Sequence, residues 1–239
     1  MNHLKIKAIF LAGLFLLTGC AGGVGSPPPL AAPESNDLLQ FNPVRPGDTI
    51  AVMETSMGTI RIRLFPEHAP VTVENFVGLA EEGFYDGRNF HRVISDFMIQ
   101  GGAIEHDGSG ATSIFRDSAG NPQPFVDEFS DYLWHFRGAL SMANPGTRDS
   151  NLSQFFIVQN NYVPEQLAEQ MRAFEFPENV VEAYVQTGGA PHLDGGHTVF
   201  GQVIEGMDVV DAIAALPTGA NDRPVEDVLI NSLTIEIAQ

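Results

Sequence analysis

The sequence predicts a mostly β domain in which eight short antiparallel strands close into a barrel capped by two helices. Three observations lead to this fold class. Apolar residues recur in short runs of strand length, Gly- and Asn-rich turns separate those runs, and two segments show the apolar period of a helix. The 239 residues, 44% of them apolar, can bury the core of one ordinary domain and leave some length for a tail.

The first predicted element is a β-hairpin close to Pro46, where the folded part is expected to begin. Ile60, Ile62 and Leu64 alternate with polar residues, which is the pattern of a half-buried strand. The sequence Ser-Met-Gly at 56–58 supplies the turn before this strand.

A helix is predicted after the hairpin, because apolar residues from Val73 to Ala80 fall on one helical face. Thr72 is its predicted N-cap and Gly83 its predicted stop. The second helix, in the sequence GMDVVDAIAAL, is expected to end before Pro217.

Six further strands complete the barrel. Five are predicted in RNFHRVI, FMIQGG, RGALSMA, SQFFIVQ and HTVFGQVI, and the last runs through Leu233, Ile235 and Ile237. Residues 163–189 break this pattern with two helical segments, each opened by a proline that a glutamate follows. We therefore expect a helical insertion at the rim of the barrel.

The charge of the chain excludes one class of partner. The formal net charge is -18, and the only two lysines, Lys5 and Lys7, lie at the amino terminus. Binding to nucleic acid requires a basic surface that neutralises phosphates, and the rest of the chain lacks one. No nucleic-acid partner is expected.

The amino terminus has the pattern of a secretory signal. Its apolar run AIFLAGLFLL is too short to span a bilayer as a resident helix. The next residues, Leu-Thr-Gly-Cys, resemble the lipobox of bacterial lipoproteins, in which the cysteine is diacylated and becomes the first residue after cleavage. Residues 1–19 are thus a predicted lipoprotein signal peptide, and Cys20, the only cysteine, is the predicted lipidation site. The alternative is an ordinary cleaved signal with an incidental cysteine.

The segment after the signal is a predicted tether. Residues 20–45 are rich in Pro, Gly, Ser and Ala, which cannot bury enough apolar area to offset chain entropy. We therefore expect an extracytoplasmic protein that is anchored to the membrane by the Cys20 lipid, with its folded domain at 46–239.

Conventional catalytic patterns are missing from the sequence. The histidines lack the helical spacing and the cysteine partners of a typical zinc site, so no metal is expected. Ser141 and Ser153 lack the Gly-x-Ser-x-Gly elbow of a hydrolase, and the glycine-rich stretches lack the features of a phosphate cradle. We expect neither nucleophilic nor phosphoryl-transfer chemistry, and no cofactor.

Four separated segments are more informative: NFHRVISDFMIQGG, GALSMANPG, SNLSQFFIVQ and HLDGGHTVFGQVIEGMDVV. In this order they resemble the cyclophilin family of peptidyl-prolyl cis-trans isomerases, and the resemblance covers about residues 49–237. It implies a cyclophilin-like barrel, isomerisation of X-Pro bonds, and proline-containing segments of secreted or surface proteins as partners. A monomer is expected.

The family's reaction explains why a nucleophile is missing. Rotation about an X-Pro amide breaks no bond and faces a barrier of ~20 kcal/mol that amide resonance sets. In the twisted state the prolyl nitrogen gains a lone pair, which a cationic donor stabilises more than it stabilises the planar substrate. The resemblance assigns this role to Arg92 of the sequence Phe-His-Arg. The alternative is an arginine that bridges strands or pairs with an acidic residue.

Other residues of this sequence match positions that bind substrate in the cyclophilin family. The implied substrate-binding residues are Phe97, Met98, Gln100, Ala143, Asn144, Gln154, Phe156, His192, Leu193 and His197. The apolar ones, Phe97, Met98, Phe156 and Leu193, would line a pocket for the proline ring, whereas without the motifs the first three would be read as core.

Two further points qualify the resemblance. His192 stands where eukaryotic members commonly have a tryptophan that contacts the inhibitor cyclosporin A, so the resemblance does not imply affinity for that inhibitor. A binding module or chaperone on the same scaffold, with incidental catalysis, is the alternative function.

Overall fold

The computed structural model describes residues 38–239, which form eight strands and four α-helices. The strands are β1 (Thr49–Thr55), β2 (Gly58–Leu64), β3 (Phe90–Ile94), β4 (Met98–Gly101), β5 (Ala139–Met142), β6 (Phe155–Val158), β7 (Val199–Glu205) and β8 (Ile230–Ile237). The helices are α1 (Pro70–Glu81), α2 (Glu165–Ala173), α3 (Glu178–Thr187) and α4 (Met207–Ala214). Within these residues no helix has the length and apolarity needed to cross a membrane.

The eight strands form one antiparallel sheet in the order β3-β4-β6-β5-β7-β2-β1-β8. Its edge strands, β3 and β8, are not paired by a ladder: Asn89 and Leu229 form an isolated bridge beside them, and Ile230 exchanges backbone hydrogen bonds with Gly87 and Arg88. The mostly β class and the eight strands are confirmed, but the predicted closed barrel is wrong, because the sheet is an open half-barrel. Closure needs a hydrogen-bonded ladder between the edge strands, and apolar alternation does not report which strands pair.

The hairpin forms as predicted, whereas the start of α1 differs. Helix α1 begins at Pro70, so Thr72 lies inside it and is not the N-cap. The backbone N–H groups of Val71 and Thr72 instead donate to the carboxylate of Glu128, at 3.1 and 2.8 Å. A side chain distant in sequence thus satisfies the helix N-terminus in place of a local cap. Gly83 has a φ of +70°, which suits the predicted stop.

The two faces of the sheet carry different apolar clusters. Phe155 of β6 faces the main core, where its ring and that of Phe200 pack edge-on against Phe76 of α1, with centroids 5.7 and 5.2 Å away. Phe156 belongs to a separate, smaller cluster with Met98. Successive residues of a strand point to opposite faces, so the candidate site lies on the face turned away from the main core.

Helices α2 and α3 build the predicted insertion and have a cluster of their own. Each begins directly after a proline, Pro164 and Pro177. Met171 of α2 and Tyr184 of α3 are buried in this cluster together with Leu38. The insertion is therefore packed against the first described residues of the chain.

The segment 38–43 is fastened to the domain, which differs from the tether predicted over 20–45. The Gln40 side chain accepts a hydrogen bond from the Trp134 N–H at 2.7 Å and donates to the Trp134 carbonyl at 2.9 Å. The buried guanidinium of Arg63 donates to the carbonyls of Leu39, Asn42 and Pro43. Composition could not reveal these contacts, because their partners lie far along the chain. Residues 20–37 of the predicted tether, with Cys20, and the signal peptide lie outside the described residues.

Candidate active site

A row of side chains crosses four neighbouring strands on the face away from the main core. Arg92 of β3 is paired with Gln100 of β4, Gln100 with Phe156 of β6, and Phe156 with Ser141 of β5. Directly opposed residues in an antiparallel sheet point to the same face. The sheet register therefore places a cation, an amide and an aromatic ring side by side.

Arg92 is held by one acidic residue at one edge of the row. Its Nε donates to the Asp222 carboxylate at 3.3 Å, and its side chain is 40% exposed. Within residues 38–239, its two terminal nitrogens have no hydrogen-bond partner in this structure. Arg92 therefore does pair with an acidic residue, which was the alternative role considered for it. The pair with Asp222 still leaves the outer edge of the guanidinium available to a ligand.

Two glutamines lie next to Arg92. Gln100 donates from Nε2 to the side-chain oxygen of Gln154 at 3.0 Å, and Gln154 donates to the carbonyls of Gly108 and Gly110. These bonds hold both amides in one orientation. The structure thereby places the predicted residues Gln100 and Gln154 at the rim of the site.

An apolar floor adjoins the row. The structure places Phe97, Met98, Phe156 and Leu193, the four residues expected to line the proline pocket, in one apolar cluster, and Ala143 joins them there. Two imidazole rings border this floor: His192 lies 5.6 Å from the Phe97 ring and His197 lies 5.6 Å from the Phe156 ring, between centroids. The result is an apolar depression of the kind that holds a small ring, beside a cation.

Ala143 and Asn144 connect the floor to the neighbouring loop. The Ala143 N–H donates to the Gln154 carbonyl at 2.9 Å and is not free for a ligand. The Asn144 side chain donates to the Gly196 carbonyl at 3.3 Å and accepts from the Gly146 N–H at 2.9 Å. The structure brings every predicted binding residue from Phe97 to His197 to this one face.

Sequence reasoning missed a buried polar network behind the floor. His135 lies with Nδ1 2.7 Å from Asp194 and Nε2 2.9 Å from the Ser141 hydroxyl. Asp194 also accepts from the Tyr184 hydroxyl at 2.7 Å, and Ser141 donates to the Thr198 carbonyl at 2.9 Å. Since Thr198 takes the hydroxyl hydrogen of Ser141, the bond to His135 requires a hydrogen on Nε2 of the ring.

This network contains serine, histidine and aspartate but does not form a hydrolytic site. Ser141 and His135 are at most 1% exposed, so no substrate reaches the hydroxyl. The imidazole of His135 instead stacks on the Phe156 ring, with centroids 5.9 Å apart and planes 11° from parallel. The network therefore supports the floor of the depression from behind. Ser141, Asp194 and Thr198 lie within the segments GALSMANPG and HLDGGHTVFGQVIEGMDVV, whereas His135 and Tyr184 lie outside all four of the family-like segments.

We predict that the activity of the site does not depend on pH near neutrality, because the histidines close to it do not titrate there. Burial lowers the pKa of His197, and burial together with the positive charge of Arg92 lowers that of His91 to about 4. Both rings are then neutral above the ordinary histidine value of about 6.5. We expect a flat rate between about pH 7 and 8.5, with any decline confined to lower pH as His197 gains a proton. A slope of the rate within that range, measured at constant ionic strength, would contradict this assignment.

Similarity to known proteins extends over the whole sheet. A family model for the cyclophilin type peptidyl-prolyl cis-trans isomerase/CLD matches residues 50–235. A Staphylococcus saprophyticus protein, provisionally named a peptidyl-prolyl cis-trans isomerase, is 45% identical over 203 residues, which cover 85% of this chain and 97% of the relative. A Streptococcus pyogenes protein, provisionally named a bifunctional phosphatase/peptidyl-prolyl cis-trans isomerase, is 49% identical over 185 residues, which cover 77% of this chain and 38% of the relative.

Solved structures share the fold. The crystal structure of a cyclophilin type peptidyl-prolyl cis-trans isomerase from Cryptosporidium parvum, in the presence of the dipeptide Ala-Pro, matches with a TM-score of 0.62 and 26% sequence identity. The match covers 79% of this chain and 99% of that one. Among residues 38–239 of this chain, no three or more His, Cys, Asp or Glu side chains are placed to hold a metal ion together.

Proposed function

Because this chain belongs to the cyclophilin family of peptidyl-prolyl cis-trans isomerases and is an enzyme of that class, we propose that it accelerates the folding of secreted or surface proteins. It does so by stabilising the twisted X-Pro amide with Arg92 above the apolar floor. The observation that carries the proposal is the register of β3, β4 and β6, in which Arg92, Gln100 and Phe156 are consecutive neighbours.

The geometry suits a reaction that moves no proton and breaks no bond. The proline ring rests on the apolar floor, and this contact holds one side of the amide while the other side rotates. The terminal nitrogens of Arg92 donate to the prolyl nitrogen as it becomes pyramidal. Asp222 keeps the guanidinium pointed along the row through its bond to Nε, so little reorganisation is needed during the rotation.

The substrate class follows from the floor and from a related structure. A proline side chain is small, apolar and cyclic, which matches a depression lined by Phe156 and Met98. The Cryptosporidium parvum relative was crystallised in the presence of Ala-Pro. We therefore assign proline-containing segments as the substrates of this enzyme.

The direct test is isomerisation itself. We expect the wild-type protein to accelerate the cis-to-trans exchange of an Ala-Pro-Phe peptide in a protease-coupled assay, and to speed the refolding of a protein whose slow step is proline isomerisation. A protein that binds the peptide without accelerating exchange would instead support the binding-module alternative.

We also propose that the enzyme is anchored outside the cytoplasm by a lipid on Cys20. The support is the sequence alone: an apolar run of signal-peptide length followed by Leu-Thr-Gly-Cys. Two or more lipid chains are needed for stable membrane attachment, which diacylation would supply.

Replacing Cys20 with serine tests this anchoring. We expect Cys20→Ser to lose lipid labelling and to accumulate as unprocessed precursor, because the modified atom is the cysteine sulfur. The isomerase domain should still fold, since it contains no cysteine. Fractionation and intact mass measure both results, with the wild-type protein as the control. Normal mature mass and membrane retention of the variant would exclude lipidation at this position.

A further inference from the structure

A groove of about 500 Å³ lies between the insertion and the candidate active site. One wall is helix α2, and the other consists of the residues from Pro191 to His197 with the loop that starts at Asn144. Its volume falls within the range of sites that hold small ligands, about 300–1,000 Å³.

Helix α2 turns a mostly apolar face towards this groove. Leu167, Gln170, Met171 and Phe174 all line it, at the spacing of one helical face. Met171 is buried in the insertion cluster, but Phe174, at the end of the helix, is 56% exposed. A large aromatic side chain is therefore held at the groove and is not covered by the rest of the domain.

The groove is continuous with the apolar floor of the proposed proline site. His192, Leu193 and His197 line the groove and also border or form that floor. His192 is the direct link, because its ring packs against Phe97 on the floor side. A polypeptide with its proline on the floor can thus enter the groove without leaving the surface.

The charges around the groove favour an uncharged occupant. Two charged residues line it: Arg148 at the rim and Asp194. The carboxylate of Asp194 is buried and already accepts bonds from His135 and Tyr184. A chain with a net charge of -18 thus presents very little free negative charge at this surface.

We propose that this groove binds an apolar side chain of the client polypeptide, two to four residues away from the isomerised proline. An extended chain advances about 3.3 Å per residue, so this spacing covers roughly 7–13 Å from the floor. The inference rests on the proposed function, since it assumes that the proline occupies the floor. It makes the insertion a determinant of which X-Pro bonds the enzyme selects.

Two series of peptides test the proposal. In each, one leucine or phenylalanine is placed two, three or four residues from the proline, before it in one series and after it in the other, with serine elsewhere. We expect kcat/KM of the wild-type protein to rise about five- to ten-fold over the all-serine peptide in one series, because apolar area is buried in the groove. Equal rates for all peptides would overturn the proposal.

Two variants locate the preference. Phe174→Gln removes the exposed aromatic ring of the groove, and we expect the ratio of apolar to all-serine kcat/KM to fall towards one. Tyr162→Gln is the matched control, because Tyr162 is a 66% exposed aromatic residue directly before the insertion that does not line the groove. It should retain the wild-type ratio. A preference that survives Phe174→Gln, or that Tyr162→Gln abolishes equally, would also overturn the proposal.

The all-serine peptide separates this inference from the proposed function. If the wild-type protein fails to isomerise that peptide and the apolar peptides, the proposed catalysis is wrong. If it isomerises all of them at one rate, catalysis stands and the groove is not a subsite.

Discussion

Arg92→Ala is expected to lower kcat/KM for a proline peptide by about 100- to 1,000-fold, because removing one donor aimed at the developing charge typically costs ~3–4 kcal/mol. Most of the loss should appear in kcat, since the donor acts more strongly on the twisted amide than on the planar one. Arg92→Lys should recover only part of the rate. Its ammonium keeps the charge but lacks the planar arrangement of donors.

The fold should survive this substitution. Arg92 is partly exposed, and its ion pair with Asp222 is at the surface, where such pairs contribute about 0–1 kcal/mol. Arg223→Ala is the matched control, since Arg223 is also 40% exposed and pairs with an aspartate, Asp227, but is not a member of the row. Unfolding in urea should be similar for both variants. Full activity of a folded Arg92→Ala protein would refute the mechanism.

Asp194→Ala is expected to have the largest effect on stability. Removing one partner of a buried, hydrogen-bonded pair typically costs ~3–5 kcal/mol, because the groups left behind lose their acceptor without regaining water. Here the Tyr184 hydroxyl, the His135 ring and the His135 N–H would all be left behind. Urea unfolding followed by circular dichroism measures the loss.

Tyr184→Phe serves as the graded comparison. It removes one of the bonds to Asp194 and should cost about 1–2 kcal/mol. In both variants we expect a higher KM if the protein remains folded, because His135 supports the Phe156 ring from behind. An Asp194→Ala protein as stable as the wild type would show that the network contributes nothing to the fold.

The parts of the fold that could be predicted are those that depend on the pattern of neighbouring residues in the sequence. The hairpin and the strands were visible because apolar residues alternate along them, and α4 was visible from its apolar period. The site residues came from motifs in separate segments, and the register of β3, β4 and β6 explains why those segments meet.

Features that depend on distant partners were not predictable. Glu128 caps α1 from 56 residues away along the chain, whereas the local sequence favours Thr72 as the cap. His135 and Tyr184 carry no pattern of their own, because a lone histidine and a helix tyrosine acquire a role only when folding brings them to Asp194. The open edge between β3 and β8 is likewise a property of the assembled sheet.

The hydrogen bonds that attach residues 38–43 to the domain determine where a mechanical force on the amino end would act. A pull on the amino end reaches Arg63 in β2 and, through Gln40, reaches Gln202 in β7. Both strands lie in the interior of the sheet, apart from β3 and β4, which carry Arg92 and Gln100. Because Gln40 is also bonded to Trp134, the neighbour of His135, part of a load on that end would reach the residues that support the floor. A soluble form made for immobilisation should therefore begin before Leu38, so that all of these contacts share the load.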